Sequence, residues 1–117
     1  MKYMLLMYAN ESAVPETPED QQAVAPTVWF ALMDEMKAAG VLLSTNGLSP
    51  VANATTVRIR EGKTLITDGP FAETHEQLGG FFLLECKDLD EALRWAEKIP
   101  HARYGSVEIR PLWSERS

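Results

Sequence analysis

The sequence predicts an α+β fold in one domain. Three observations carry that expectation. Strand-like apolar runs alternate along the chain with two runs at helical spacing. The length, 117 residues, is near the usual size of one domain and buries roughly 65% of the unfolded surface. The hydrophobic and charged fractions, 45% and 24%, are those of an ordinary globular core with a solvated surface.

Lys2 to Tyr8 reads as the first strand. Tyr3, Leu5 and Met7 fall on one face, and Met4, Leu6 and Tyr8 on the other. Both faces are apolar, which predicts a central strand with helices on one side. Asn10 to Gln22, with Pro15 and Pro18, reads as a loop that is long for so small a domain. A helix is expected from about Pro18 or Asp20 to Ala39, on the stripe Ala25, Val28, Trp29, Leu32, Met33, Met36 and Ala39. Pro26 offers a later start, because proline is favoured at the first helical position. Gly40 is placed as a C-terminal cap. Phe30 falls off the stripe and suggests a second contact surface.

Val41-Leu42-Leu43 opens a second strand, interrupted by Asn46-Gly47 and Pro50. Thr55 to Arg60 alternates with period two, and Glu61-Gly62 turns the chain into Lys63 to Thr67, a hairpin. After the loop at Asp68, Gly80 to Cys86 reads as an apolar strand. Asp88 and Glu91 have capping-box spacing at the head of a second helix. Its expected stripe is Leu89, Ala92, Leu93, Ala96 and Ile99, with Trp95 on the margin and Pro100 as its end. Ser106 to Pro111 is a last strand, with Val107 and Ile109 inward.

With the hairpin set aside, the order is that of the ferredoxin-like split βαβ arrangement, βαββαβ. Such a sheet has helices on one face only. The strands here are apolar on both, so a homodimer with sheet faces packed together is expected.

Composition excludes several classes of function. The net charge of −6 and the scattered lysines and arginines argue against nucleic-acid binding. No run approaches 18 apolar residues, so no membrane span is expected, and the first residues read as strand rather than leader. A single cysteine, Cys86, excludes an internal disulfide framework and fits a cytoplasmic location. Two histidines and that cysteine stand at unrelated spacings and form no zinc motif. No cofactor fingerprint or serine nucleophile motif is present. Gly79-Gly80 is read as a site of close backbone approach or strand bending.

Thr67 to Thr74, containing Asp68-Gly69-Pro70-Phe71, and then Glu76 to Gly80 resemble the signature of the YCII-related family, DGPF-domain branch. Lys2 to Leu6, Ala39 to Leu42, Asp88 to Ala92, Ile99-Pro100 and Gly105 to Pro111 extend the resemblance over nearly the whole chain, as one domain over residues 1–117. The resemblance implies a dimeric α+β barrel. The wider superfamily contains small isomerases, lyases and monooxygenases that use a cavity between sheet and helices. Genes of the branch often neighbour alternative sigma factors. At position 75, where the branch usually has lysine, this chain has His75.

Asp68 is the leading candidate for catalysis. It lies between a strand and Gly69-Pro70, a rigid turn. It either accepts hydrogen bonds from its own loop amides or presents its carboxylate as an acid or base. Histidine is the residue type suited to proton transfer near neutral pH, and His75 is the weaker candidate. Arg58 and Arg110 are candidate carboxylate binders, and Tyr8 and Ser44 candidate cavity-lining groups. His101 is read as a residue near a helix C-terminus, and Cys86 as inert. Two functions follow: a cofactor-free isomerase or lyase acting on a small organic acid or lactone, or a non-catalytic module that binds a small ligand or a protein in a regulatory, sigma-factor-associated setting.

Overall fold

β1 (Lys2–Ala9) is hydrogen-bonded along both edges, and the other elements are arranged around it. The computed structural model describes residues 1–12, 18–23 and 25–114. In order, the elements after β1 are α1 (Pro18–Ala23), α2 (Pro26–Ala38), β2 (Leu42–Gly47), a 3-10 turn at Val51–Asn53, β3 (Thr55–Arg60), β4 (Lys63–Asp68), β5 (Gln77–Glu85), α3 (Leu89–Ala96), α4 (His101–Tyr104) and β6 (Ser106–Pro111). Four strands form an antiparallel sheet in the order β2-β5-β1-β6, while β3 and β4 pair only with each other. This is the ferredoxin-like α+β arrangement with an inserted hairpin.

Register assigns the two sheet faces. Tyr3, Leu5 and Met7 stand opposite Leu84, Phe82 and Gly80 on one side and Pro111, Ile109 and Val107 on the other. This face is the core side, where Leu32 and Met36 of α2, Ala92 and Ala96 of α3, and Val41, Cys86 and Ile99 are buried with it. The opposite face carries Met4, Leu6, Phe81 and Leu83, all only partly buried.

The expected first helix is two. Ala25 is extended (φ −62°, ψ 148°), because a residue before proline is pushed out of the helical region, and α2 starts afresh at Pro26. Its stripe is as expected at Leu32 and Met36, with Trp29 and Met33 packed beside the core; Ala39 is exposed. Part of the polar stretch before α1, with Pro15, lies outside the described residues. Gly40 adopts φ +72°, as its capping role requires.

The α3 cap forms as the spacing predicts. Asp88 Oδ1 accepts from the Glu91 amide at 2.9 Å, and Glu91 Oε1 accepts from the Lys87 amide at 2.9 Å. The buried stripe differs, since Leu89 and Leu93 are 49% and 43% exposed while Trp95 packs on the core. Two alanines let α3 lie close to the sheet, so the packed face centres on Ala92 and Ala96. Pro100 does not end this helix. α3 has already stopped at Ala96, and Pro100, itself in helical conformation, precedes the short α4.

Glycine is required where backbones meet. A side chain at Gly80 would stand 2.7 Å from the Asn46 carbonyl oxygen, and one at Gly105 would press on the Tyr8 carbonyl and stand 3.0 Å from Ala9 Cα. Gly105→Ala is expected to cost about 2–3 kcal/mol, because the obstruction is backbone that cannot move aside. Gly47→Ala, whose new methyl would stand 3.9 Å from its nearest neighbour, is expected to cost under about 1 kcal/mol. Urea unfolding midpoints of the two variants measure the difference.

Candidate functional site

Three of the residues singled out in the sequence share one surface. Tyr8 lies opposite Ser106, Arg110 opposite Met4, and Ser44 opposite Leu83, all on the sheet face away from the helices. Ser44 reaches that face through an irregularity between Leu42 and Ser44 that shifts the register of β2 by one residue. The Tyr8 hydroxyl donates to Glu108 Oε1 at 3.4 Å, and Ser106 Oγ donates to Glu76 Oε1 at 2.7 Å. Burial raises the Tyr8 pKa, the Glu108 carboxylate raises it further, and Arg110 acts in the other direction. Tyr8 is therefore a protonated donor at neutral pH. Met4, Leu6, Phe81 and Leu83 form the apolar centre of this face and the polar groups its rim.

The other three do not join them. Asp68 ends β4 with its carboxylate in solvent, and among the described residues no loop amide donates to it. The Asp68–Phe71 loop is held from the hairpin instead. Thr56 Oγ1 donates to the Gly69 carbonyl at 2.8 Å, Arg58 Nη2 to the Phe71 carbonyl at 2.8 Å, and the Gly69 amide to the Ala54 carbonyl at 2.6 Å. Gly69 has φ +100°, which only glycine adopts freely. The expected self-capping by Asp68 is thus replaced by side chains of β3, and Arg58 has a backbone partner in place of a ligand. His75 is exposed in the following loop.

The residue that sequence reasoning underrated is His101. It opens the one-turn α4, whose last turn also contains it, and its ring turns into the sheet–helix layer. Trp29 meets it edge-on with ring centroids 5.4 Å apart, and Tyr104 lies at 5.2 Å. Trp29 in turn stacks on Phe82 at 6.2 Å. Across from the imidazole is Gly79, where an added Cβ would be 3.9 Å from His101 Nε2. Gly79 is the extra residue of a β-bulge, since Met7 pairs with Gly80 and Tyr8 with Leu78. The bulge and the missing side chain leave room for the ring. Nδ1 of His101 is buried without a hydrogen-bond partner, and burial lowers the imidazole pKa. The His101–Tyr104 spacing was visible in the sequence as an i, i+3 pair; Trp29 and Gly79 are brought by the fold alone.

Beside this layer an open depression of about 310 Å³ is lined by Glu19, Gln22, Val28, Lys98, Pro100 and Arg103. His101 is not part of its wall. Lys98 is already engaged there by Glu35 at 3.3 Å and by the Trp95 ring. Cys86 is buried, and burial aided by the Glu91 carboxylate pushes its thiol up to about 11, which makes it a poor nucleophile. Among the described residues no group of three or more His, Cys, Asp or Glu is placed to hold a metal ion, and no helix is long and apolar enough to cross a membrane.

A ferredoxin-like sheet with an inserted hairpin and an aromatic layer under its helices defines the class of this protein. Its family follows from comparison with known proteins: the YCII-related domain model matches residues 1–116, and the chain belongs to that family. An uncharacterized protein of Rhizobium meliloti is 39% identical over 114 residues, covering 96% of this chain and 92% of the relative. Among solved structures, 5-chloro-2-hydroxyhydroquinone dehydrochlorinase from Burkholderia phenoliruptrix, in complex with 2,5-dihydroxybenzoquinone, is similar with a TM-score of 0.50. It is 12% identical, with 97% of this chain and 94% of that chain covered, a likeness of fold.

The buried imidazole has a consequence for stability. In the unfolded chain it takes up a proton near the ordinary pKa of about 6.5, and in the folded chain only at lower pH. Between those values the unfolded chain binds more protons, so stability rises with pH through that window and is complete above it. The melting temperature is expected to fall as pH is lowered from about 7 to about 5.5. His101→Phe is expected to flatten that part of the curve. Equal slopes for the two proteins would show that His101 does not titrate with folding.

Proposed function

We propose that this chain is a cofactor-free acid–base enzyme of the isomerase or lyase kind, acting as a homodimer on a small organic acid or lactone, with the neutral imidazole of His101 as proton acceptor. One observation carries the reading: the buried Nδ1 of His101 has no partner. A buried polar atom left without a hydrogen bond costs about 1–3 kcal/mol, and such atoms gather where a ligand supplies the missing partner. The aromatic walls of Trp29, Phe82 and Tyr104 supply the dry surroundings in which a neutral base is effective. Tyr8 is a proton donor on the opposite sheet face, separate from His101, and Asp68 is an exposed candidate acid or base. The same fold carries a dehydrochlorinase, an analogy that favours elimination chemistry.

The alternative is a binding or interaction module in a regulatory setting. It is favoured by the exposed apolar residues, Phe30 at 60% and Phe71 at 75% among them.

A thermal-shift screen against small hydroxy acids, lactones and hydroxyquinones, followed by turnover assays on the hits, separates the two. For the enzyme, a hit is turned over, and His101→Gln lowers kcat by about 100-fold or more while the fold persists. Binding without turnover by the unaltered chain supports the module. Turnover in His101→Gln within about threefold of the unaltered chain removes His101 from the chemistry.

A further inference from the structure

The β3–β4 hairpin, with the 3-10 turn before it and the loop after it, stands off the body of the chain as an arm, residues 50–71. The arm is tied together internally. Its strands are paired from Thr55–Asp68 to Arg60–Lys63, which places Asp68 on the same face as Val57 and Ile66. At the open end of the hairpin the Asn53 amide donates to the Pro50 carbonyl at 2.9 Å, and the Gly69 amide to the Ala54 carbonyl at 2.6 Å. Thr56 and Arg58 hold the Gly69 and Phe71 carbonyls, so the loop travels with the strands.

Little packing holds the arm to the body. Every residue of β3 and β4 except Thr56 is exposed. The radius of gyration is 16.5 Å, where a compact chain of this length has about 13 Å. The two connections to the sheet are short and exposed. On one side the Leu48 amide is fixed to the Gly79 carbonyl at 2.8 Å, and Ser49 alone leads to Pro50. On the other, Ala72-Glu73 leads from Phe71 to Thr74, which already belongs to the body. The Thr74 carbonyl accepts from Gln77 Nε2 at 2.5 Å, and its Oγ1 donates to the Glu76 carbonyl at 2.6 Å. Hinges are built from a few such residues at the ends of elements.

One side chain crosses the boundary. The Glu11 carboxylate accepts the Val51 amide with both oxygens, each at 3.2 Å. Val51 opens the 3-10 turn, whose N-cap, Pro50, makes no side-chain cap of its own. Glu11 supplies that cap from just beyond the end of β1. It is itself fixed to the body, because its amide donates to Gln77 Oε1 at 2.9 Å, and the same Gln77 side chain holds Thr74. Among the described residues no other hydrogen bond or ion pair joins residues 50–71 to the rest of the chain.

We propose that the arm is a hinged lever latched by Glu11. It swings as one body about Ser49 and Ala72-Glu73, and the Glu11–Val51 contact sets where the Asp68–Phe71 loop stands relative to the sheet. A charged acceptor makes the latch one of the stronger hydrogen bonds, but both oxygens and the amide exchange it for water at small net cost because Glu11 is exposed. The latch therefore opens and recloses while the sheet stays folded, as segments with few packed neighbours do. This inference stands apart from the His101 reading and does not depend on it.

Amide hydrogen exchange and N–H residual dipolar couplings of the full chain test it, in Glu11→Ala, Glu11→Gln and a charge control on α3's end, Glu97→Gln. In Glu11→Ala the arm's couplings are expected to shrink by about half or more relative to the sheet while still fitting one rigid body. The Val51 amide is expected to exchange about tenfold faster or more, and the paired amides of β3 and β4 within about threefold of the unaltered chain. Glu11→Gln, which keeps one acceptor oxygen, is expected to fall between, and Glu97→Gln to match the unaltered chain. Arm couplings that keep the sheet's alignment in Glu11→Ala overturn the latch. Paired hairpin amides that lose protection together with Val51 show melting in place of swinging and overturn the lever. Equal changes in Glu97→Gln overturn the assignment to the Glu11–Val51 contact.

Discussion

β1 is the constraint on which the structure depends. It is paired on both edges and apolar on both faces, so its neighbours must cover two surfaces with the elements of a short chain. Burying Tyr3, Leu5 and Met7 stabilises the fold by roughly 1.5–3 kcal/mol for each such side chain, and this is secured by α2 and α3 on one side. Both ends of the chain are drawn to the same strand. The Met1 amino group donates to the Cys86 carbonyl at 2.8 Å, and the Leu112 amide donates to the Lys2 carbonyl at 3.0 Å. The other end of β1 meets a bulge opposite Met7 and Tyr8. Gly80 accommodates the close strand contact, and Gly79 is left over to face His101.

The second face of β1 has a different fate. The ferredoxin-like order has two helical connections, and both cross the same side of the sheet. Met4, Leu6, Phe81 and Leu83 are therefore left to the other side with only their own neighbours for cover. The arm compounds the imbalance, since it adds an apolar surface that nothing among the described elements packs against extensively. Two apolar surfaces are thus left open on one chain.

The sequence made this frame legible because the frame depends on period and punctuation. The two-sided apolarity of residues 3–8 announces a central strand, Asp88 and Glu91 announce a cap, and alternation around Glu61-Gly62 announces the hairpin. What it did not reveal depends on distance in the chain. The sequence allows Pro26 either inside a long helix or at its start, and its effect on Ala25 decides for the second. Leu89 and Leu93 look like core by spacing, but the alanines between them set how close α3 comes to the sheet. The candidate site was legible in halves. Tyr8, Ser44 and Arg110 do share a face, while Asp68 drew attention through a conspicuous loop whose rigidity comes from Thr56 and Arg58. Nothing near His101 in sequence gives it a role; its neighbours Gly79 and Trp29 are over twenty and over seventy residues away.

The contrast between His101 and Asp68 is one of dielectric, and it ties chemistry to assembly. A side chain gains a perturbed proton affinity when water is removed from around it or when a charge is fixed beside it. His101 meets the first condition within one chain, where an aromatic layer and a bulged glycine enclose it. Asp68 stands on the hairpin with its carboxylate exposed. For Asp68 to work as an acid or base, something must take it out of water, and its register with Val57 and Ile66 means that whatever covers those residues covers it too.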